Sequence, residues 1–236
     1  MLKKLIKSIL LGFGLIAVCV GILAGWLFYQ LRGVHHIGTA KLSDSLFVIK
    51  GRFCNLYLVK TQDGYIAFDA GDNPKKIIKE CESLSINPSS VQAVFLTHSD
   101  ADHVDGLTAF SSAEVYISRD EVPLLKGKNH RHLLGIKHMN KLPVSNYQTL
   151  SDGDVVEIGG IMVHAIATPG HTQGSMSFRV NGSLFTGDLC LIVNGQIRPM
   201  ATLFSEDIEL DAASIRKIAR ITDINQIFTA HTGYTA

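Results

Sequence analysis

The longest uninterrupted run of apolar positions lies near the N-terminus. No charged residue occurs between Ile9 and Tyr29, and Trp26, Phe28 and Tyr29 cluster at the end of this stretch. An apolar helix of roughly 20 residues matches the thickness of a bilayer core, and aromatic side chains favour its interfaces. The pattern therefore predicts one transmembrane helix ahead of the rest of the chain.

Basic residues beside this run predict its orientation. Lys3, Lys4 and Lys7 precede it, and such residues favour the cytoplasmic side of a membrane. We therefore expect a single-pass membrane protein, with residues 1–32 as a cytoplasmic stub and anchor and residues 33–236 as a domain outside the cytoplasm. A cleaved signal peptide is the alternative, but its apolar core typically spans only about 7–15 residues, and no clear small-x-small cleavage site follows the run.

After residue 33 the apolar positions fall into short segments that alternate with turn residues. Three turns, Gln62-Asp63-Gly64, Gly159-Gly160 and Asn181-Gly182, predict β-hairpins. The segments that are rich in β-branched, aromatic and leucine residues are predicted strands: Leu46–Lys50, Asn55–Lys60, Tyr65–Asp69, Val91–Leu96, Glu114–Ser118, Val155–Ile158, Ile161–Ile166, Ser175–Val180, Ser183–Thr186 and Ile224–Thr229.

Helical spacing of apolar residues recurs in each half of the body. It predicts helices over Lys75–Leu84 and Asp207–Ile221, and we expect another over His103–Phe110. Between Arg119 and Pro143 the pattern weakens, which we interpret as a helix and a loop over the site, with Lys126–Lys141 as a mobile basic flap. Strands outnumber helices, so an α+β fold with two sheets and helices packed outside accommodates the pattern.

Composition narrows the class of protein. The chain has 236 residues, 46% of them hydrophobic, which suffices for one domain with a closed core. The formal net charge of +1 gives no indication of a nucleic-acid partner. The cysteines are widely spaced without a CxxC pair, so those of the body are expected to be buried residues or free thiols rather than a disulfide framework: Cys19, Cys54, Cys81 and Cys190.

One strand leads directly into a cluster of metal-binding residue types. Val91–Leu96 is followed by Thr97-His98-Ser99-Asp100-Ala101-Asp102-His103, in which four of seven residues can bind a metal. A polar turn with Asp102 as a helix cap is the alternative interpretation. A cap requires one polar residue rather than four donors, so the cluster favours a metal site.

Three more predicted strands end in a single residue of the same kind. His171 follows Ile161–Ile166 through Thr-Pro-Gly, Asp188 follows Leu184-Phe185-Thr186-Gly187, and His231 follows Ile227–Ala230. Strand ends bring side chains to one edge of a sheet. We therefore expect these residues to converge with the first cluster.

These segments carry a resemblance to a known family. Thr97–Gly106 resembles the HxHxDH signature of the metallo-β-lactamase superfamily, and Thr168–Ser175 is similar to its TPGHTxGS segment. Leu184–Asp188 resembles its LFTGD segment, and His231 falls where its last histidine is expected. Phe68–Gly71 and Asn55–Val59 also look like the family's early strands, so that the resemblance extends from Leu46 to the C-terminus. It implies a four-layer αββα sandwich, here preceded by one transmembrane helix.

The resemblance also implies a ligand set for two divalent metal ions, with zinc favoured. One ion would be bound by His98, residue 100 and His171, and the other by Asp102, His103 and His231. Asp188 would bridge them, as in members that resemble glyoxalase II, and Asp69 would support the site without binding metal. The implied ligands are His98, Asp100, Asp102, His103, His171, Asp188 and His231.

Position 100 departs from the family pattern, which has histidine where this chain has Asp100. With Asp102, Asp188 and a bridging hydroxide, Asp100 would bring the ligand shell of two divalent ions to neutrality. A neutral shell favours harder metals such as iron or manganese. The alternative, that Asp100 weakens or empties the first metal position, stays open.

The pattern and the resemblance together predict a metal-dependent hydrolase of a small-molecule substrate. Metal-activated hydroxide would attack an ester, thioester, lactone, lactam or phosphodiester bond, with Asp102 as the catalytic residue that orients it. The sequence does not select among these substrates, and the substrate-binding residues and oligomeric state are not determined by it. The alternatives are a single-iron dioxygenase that resembles the persulfide dioxygenases, with His98, His171 and Asp188 as ligands, and a non-catalytic metal-binding module tethered to the membrane.

Six other histidines remain. Those of the predicted flap, His130, His132 and His138, are candidates for contact with an anionic substrate. His164 lies in a predicted strand and is interpreted as structural. His35 and His36 follow the membrane span and are expected at its interface.

Overall fold

The computed structural model of the protein describes residues 2–31, 36–133 and 136–235. The chain divides into two compact units, residues 1–33 and 34–236. The first unit is a single helix, α1 (Leu2–Leu31), and its segment Ile9–Tyr29 has a mean hydropathy of 2.4. By length and composition this helix could cross a membrane, although a signal sequence has the same properties.

The second unit is built from strands with short helices between them. Its helices are α2 (Pro74–Ser83), α3 (Ala101–Val104), α4 (Val122–Leu125) and α5 (Ile208–Ile218), with 3₁₀ turns at Pro88–Ser90, Asp105–Phe110 and Arg119–Glu121. Its strands are β1 (Ala40–Lys41), β2 (Leu46–Lys50), β3 (Asn55–Lys60), β4 (Tyr65–Phe68), β5 (Val91–Phe95), β6 (Glu114–Ser118), β7 (Arg131–Leu133), β8 (Ile136–His138), β9 (Gln148–Leu150), β10 (Val155–Ile158), β11 (Ile161–Ala167), β12 (Met176–Val180), β13 (Ser183–Phe185), β14 (Cys190–Val193), β15 (Gln196–Pro199), β16 (Gln226–Thr229) and β17 (Gly233–Tyr234).

The strands form two main sheets and two hairpins. The first sheet has the order β1-β2-β3-β4-β5-β6-β9, and the second has the order β10-β11-β12-β13-β16-β17. β4, β5, β6 and β9 run parallel, as do β13 and β16, while the other pairs of the main sheets are antiparallel. Parallel neighbours end at the same edge of a sheet, which brings the segments after β4 and β5 together, and likewise those after β13 and β16.

The two sheets pack face to face through an aromatic core. Phe68 of β4 stacks on Phe185 of β13, with ring centroids 3.9 Å apart and planes 7° apart, and Phe95 contacts Phe178 with centroids 5.4 Å apart. The outer face of the first sheet is covered by α2 and the 3₁₀ turn Asp105–Phe110, and that of the second sheet by α5. The predicted αββα sandwich is therefore confirmed.

The three predicted hairpins are present, whereas two other segments differ from expectation. The helix that was expected from His103 begins at Ala101 and becomes a 3₁₀ turn at Asp105, because the Gly106 amide donates to the carbonyl of Gly71 instead of continuing the helix. Asn194-Gly195 turns the β14–β15 hairpin, which was not predicted.

The segment expected as a helix and a flap contains one short helix and two short strands, and its residues 134–135 lie outside the described part of the chain. α4 begins beside Pro123 and ends before Gly127, whose φ of 65° stops the helix. The chain then forms the β7–β8 hairpin, in which Arg131 pairs with His138. The flap interpretation is wrong at Arg131, because this residue is completely buried.

Candidate metal centre

All seven predicted ligands converge at one edge of the sandwich. His98, Asp100, Asp102 and His103 lie in and after the turn that follows β5, His171 follows β11, Asp188 follows β13, and His231 follows β16. Ligand atoms of His98, Asp100 and His171 lie within 4.8 Å of one another, and so do those of His98, His103 and Asp188. The histidines and carboxylates that the sequence places far apart therefore form a single cluster.

Asp188 lies between the residues predicted to bind the first metal ion and those predicted to bind the second. Its carboxylate lies 3.5 Å from Nε2 of His171 on one side, and 3.3 Å and 3.0 Å from Nε2 of His103 and His231 on the other. Asp102 completes the second group, with Oδ2 3.5 Å from His103 Nε2 and 3.7 Å from His231 Nε2. The position of Asp188 between the two groups of ligands is the one expected of a bridging carboxylate.

Gly187 lets the turn before Asp188 approach the turn after β5. It has a φ of 54°, and a Cβ at this position would lie 2.3 Å from Oγ1 of Thr97. A larger residue would require Thr97 to move, and with it the backbone that carries His98. The glycine of the Leu184–Asp188 segment is therefore needed for the close packing of two ligand-bearing turns.

Hydrogen bonds fix the orientation of three imidazole rings. Nδ1 of His103 lies 2.8 Å from Asp69 Oδ2, Nδ1 of His98 lies 3.0 Å from Thr97 Oγ1, and Nδ1 of His231 lies 2.9 Å from the Phe53 carbonyl oxygen. When Nδ1 carries the proton of such a bond, Nε2 keeps a free lone pair. All three Nε2 atoms can thus act as metal ligands, and Asp69 has the supporting position expected for it.

Burial makes the charges of the cluster depend on one another. Burial opposes ionisation of Asp188, yet the charges of His231 and His103 outweigh it and hold the pKa of Asp188 well below its usual range. Burial also lowers the pKa of His171 to about 4. A buried carboxylate of this kind requires positive charge close to it, either as protons on the imidazoles or as a bound cation.

Three side-chain atoms beside Asp102 and His231 have the chemistry to bind a metal ion. Nε2 of His98, Nε2 of His103 and Oδ1 of Asp188 are buried and have no hydrogen-bond partner within the described part of the chain. Buried polar atoms are rarely left unpaired in native proteins. Imidazole nitrogen and carboxylate oxygen are also the usual zinc ligands, so a metal ion would satisfy these three atoms.

Three residues that contact the ligand-bearing segments were not predicted from the sequence. Arg131 contacts Asp100 and His171, and Asn140 donates to Asp100 Oδ1 at 2.9 Å. Glu121, completely buried, accepts hydrogen bonds from Ser99. All three lie in the segment where hydrophobic periodicity is weak, and no local motif distinguishes them.

The remaining histidines have mixed outcomes. His132 and His138 are exposed on the β7–β8 hairpin, and His164 lies within β11 as expected. The ring of His36 lies beside that of His231 with centroids 5.6 Å apart and is partly buried, and its place at a membrane interface stays a prediction. His35 lies outside the described residues.

Comparison with known proteins agrees with this geometry. Residues 49–223 match the family model described as the metallo-beta-lactamase superfamily. The chain is 30% identical over 176 residues to a hydroxyacylglutathione hydrolase of Aeromonas salmonicida (strain A449), covering 75% of this chain and 60% of that protein. It is 33% identical over 116 residues to the probable polyketide biosynthesis zinc-dependent hydrolase PksB of Bacillus subtilis (strain 168), covering 48% of this chain and 45% of that protein.

Solved structures share the fold. A B3 metallo-beta-lactamase with an active-site glutamic acid superimposes with a TM-score of 0.66 at 20% identity, covering 89% of this chain and 86% of that one. The metallo-beta-lactamase family protein TTHA1429 from Thermus thermophilus gives 0.66 at 19% identity, with coverage of 83% and 76%. The chain spans about 60% of the length of the hydroxyacylglutathione hydrolase that it matches. From the family match over residues 49–223, the chain belongs to the metallo-beta-lactamase superfamily.

Proposed function

We propose that the protein is a metal-dependent hydrolase. The observation that carries this proposal is the set of buried, unpartnered atoms that face one another, Nε2 of His98, Nε2 of His103 and Oδ1 of Asp188. A cation between these atoms would compensate for the hydration that burial removes; without it, protons on the imidazoles that face Asp188 are the remaining compensation. A metal ion bound at this edge of the sandwich would activate a water molecule for hydrolysis.

His103, Asp188, His231 and Asp102 would hold a metal ion at the second position. Zinc is the first candidate, because histidine and carboxylate suit it and because the name of the related PksB includes zinc dependence. A bound divalent ion supplies Lewis acidity and lowers the pKa of a water to about 7, so that a nucleophile is available at neutral pH.

Asp102 is the residue that would handle the proton of the attacking water. Its side chain is 28% exposed, more than that of Asp100 or Asp188, so that it reaches the open side of the cluster. A carboxylate at this edge can accept a hydrogen bond from the water and orient its lone pair towards the substrate. The imidazoles are held by Asp69 and by the Phe53 carbonyl, so the site needs little rearrangement before reaction.

The substrate class is proposed from the relatives and from chemistry. Hydroxyacylglutathione hydrolase is named for cleavage of a thioester. We propose an ester or thioester of a small molecule as the first class to test. If α1 anchors the chain with the N-terminus in the cytoplasm, the substrate would be met outside the cytoplasm, which disfavours glutathione itself.

The test uses the full chain purified in detergent. After treatment with a chelator, it is loaded with Zn²⁺, Mn²⁺ or Fe²⁺ and assayed on a panel of thioesters, esters, lactones, β-lactams and phosphodiesters. Oxygen consumption is monitored in parallel with a persulfide as substrate. We expect metal-dependent cleavage of at least one substrate. Retention of no metal under any loading condition would overturn the proposal, and oxygen consumption with a persulfide would favour the dioxygenase instead.

A further inference from the structure

Arg131 is the largest completely buried side chain in the described part of the protein. Arginine is almost never fully buried unless its charge is paired, because its guanidinium stays protonated at any physiological pH. A buried arginine inside a cluster of metal-binding residues therefore requires a reason in its contacts.

The guanidinium of Arg131 contacts two of the three residues that were predicted to bind the first metal ion. Its Nε lies 3.1 Å from both carboxylate oxygens of Asp100, and its Nη2 donates to Nε2 of His171 at 3.1 Å. Nη2 also donates to the carbonyl oxygen of Phe204, and Nη1 lies 3.6 Å from the carboxylate of Glu206. The cation is thus held from several sides.

Asp100 and Nε2 of His171 are consequently engaged by other side chains, whereas Nδ1 of His171 has no hydrogen-bond partner among the residues described. Oδ1 of Asp100 accepts from Asn140 as well as from Arg131, and Oδ2 lies 3.2 Å from His171 Nε2. Nε2 of His171, the atom that would bind a metal, thus lies within hydrogen-bond distance of both Arg131 Nη2 and Asp100 Oδ2. Asp100 and Nε2 of His171 therefore have partners that Nε2 of His98, Nε2 of His103 and Oδ1 of Asp188 lack among the residues described.

Charge also opposes an ion at the first position. A permanent positive charge already contacts Asp100, and a divalent cation bound by the same carboxylate would lie beside it with little water between them. Both carboxylate oxygens of Asp100 accept from Nε of Arg131, and a neutral imidazole at position 100 could not form this ion pair. The departure from histidine at this position and the burial of Arg131 therefore have one common explanation.

We propose that the guanidinium of Arg131 takes the place of a metal ion at the first position, so that each chain binds one divalent ion, at the second position. This inference rests on the proposed metal-dependent function for the presence of the remaining ion. The inference differs from the two-ion prediction in the number of metal ions and in where they bind, because that prediction places one ion on Asp100 and His171.

Titration of the metal-free full chain in detergent with Co²⁺ tests the count. Binding is followed by the visible absorption of the ion, and the content of Zn²⁺-loaded protein is measured by elemental analysis. We expect the natural chain to saturate at one ion and Arg131→Met at two. Lys137→Met, which removes an exposed positive charge from the same hairpin, is the matched control and should stay at one.

A matched pair of histidine variants tests the location. His231→Ala should weaken the single ion by at least about tenfold, as loss of a ligand does, whereas His171→Ala should change its affinity by less than about threefold. If Arg131→Met does not fold, Arg131→Met/Asp100→His removes the unpaired buried carboxylate and supplies a neutral ligand. That double variant should also bind two ions.

The outcomes distinguish the two proposals. Two ions in the natural chain, or one ion in both Arg131 variants, would overturn the role of Arg131 and leave the hydrolase proposal standing. Stronger weakening by His171→Ala than by His231→Ala would overturn the assigned location. A chain that binds no ion at all would overturn both proposals.

Discussion

Nδ1 of His103 lies 2.8 Å from Oδ2 of Asp69, and both side chains are buried. Asp69 also accepts hydrogen bonds from the backbone amide and the hydroxyl of Thr97, and it has a φ of 63°, which is uncommon for a non-glycine residue. The carboxylate thereby ties the end of β4 to the turn that carries the ligand cluster. Its partner His103 is left with Nε2 directed at the centre.

Asp69→Asn should weaken metal binding by about 10–100-fold, because the oxygen that orients His103 and increases its basicity loses its charge. The affinity is measured by competition with a chromophoric chelator. Asp72→Asn, a change to a carboxylate of the same loop that accepts from the Arg52 amide, is the control and should leave the affinity unaltered. Equal affinities in the two variants would contradict the supporting role of Asp69.

Asp102→Asn should reduce kcat by about 10²–10⁴-fold at saturating metal, since an amide cannot take the proton of the attacking water. The measurement is the rate on whichever substrate the panel identifies, with metal content determined on the same sample. Asp105→Asn alters an exposed carboxylate in the next turn and should retain the natural rate. Full turnover by Asp102→Asn with metal bound would remove Asp102 from the mechanism.

Glu121→Ala should lower the free energy of unfolding by about 3 kcal/mol, because the buried amide and hydroxyl of Ser99 and the hydroxyl of Thr172 would lose their acceptor. Glu121 accepts from Ser99 N at 2.9 Å and from Thr172 Oγ1 at 2.8 Å. Urea denaturation of the full chain in detergent gives the difference. The exposed Glu82→Ala change should cost less than about 0.5 kcal/mol, and similar losses in both variants would contradict the role of Glu121.

The cysteines of the second unit should not react with a thiol reagent while the protein is folded. Burial raises the pKa of Cys81 and that of Cys190 to about 12, and Cys54 is buried with Sγ 2.8 Å from the carbonyl oxygen of Asp102. The thiolate is the reactive form, so both access and ionisation are suppressed.

The thiol count is taken with an aromatic disulfide reagent at pH 8 in a Cys19→Ser background. We expect no reaction under native conditions and three thiols per chain after denaturation. Fast modification of one cysteine in the folded chain would show that its surroundings open to solvent.

Much of the fold was predictable because its elements follow local rules. The turns at Gly64, Gly160 and Gly182 each connect an antiparallel pair, as the short glycine-containing loops indicate. The helix boundaries were less accurate. The helix expected from Asp207 to Ile221 extends from Ile208 to Ile218, because Asp207 caps it with its side chain and the backbone leaves the helix after Ala219.

The ligand-bearing turns were also accessible from sequence. Each donor follows a run of apolar residues, and the end of a strand is visible in the order of residue types alone. Such a pattern does not tell which ligand residues contact each other in the folded cluster. The contacts of Asp188 with His103, 85 positions earlier, depend on how the two sheets stack.

The sequence by itself determined the apolar helix, the alternation of strands and turns, the four turns that carry histidine and aspartate, and the family. Only the tertiary structure decided that Arg131 is inside the cluster rather than on an exposed flap. A three-residue strand has too few positions for a periodicity, and an arginine is expected at the surface unless a carboxylate is buried beside it. Asp100 is that carboxylate, and it is 31 residues away in the chain, so that only folding brings the two charges together.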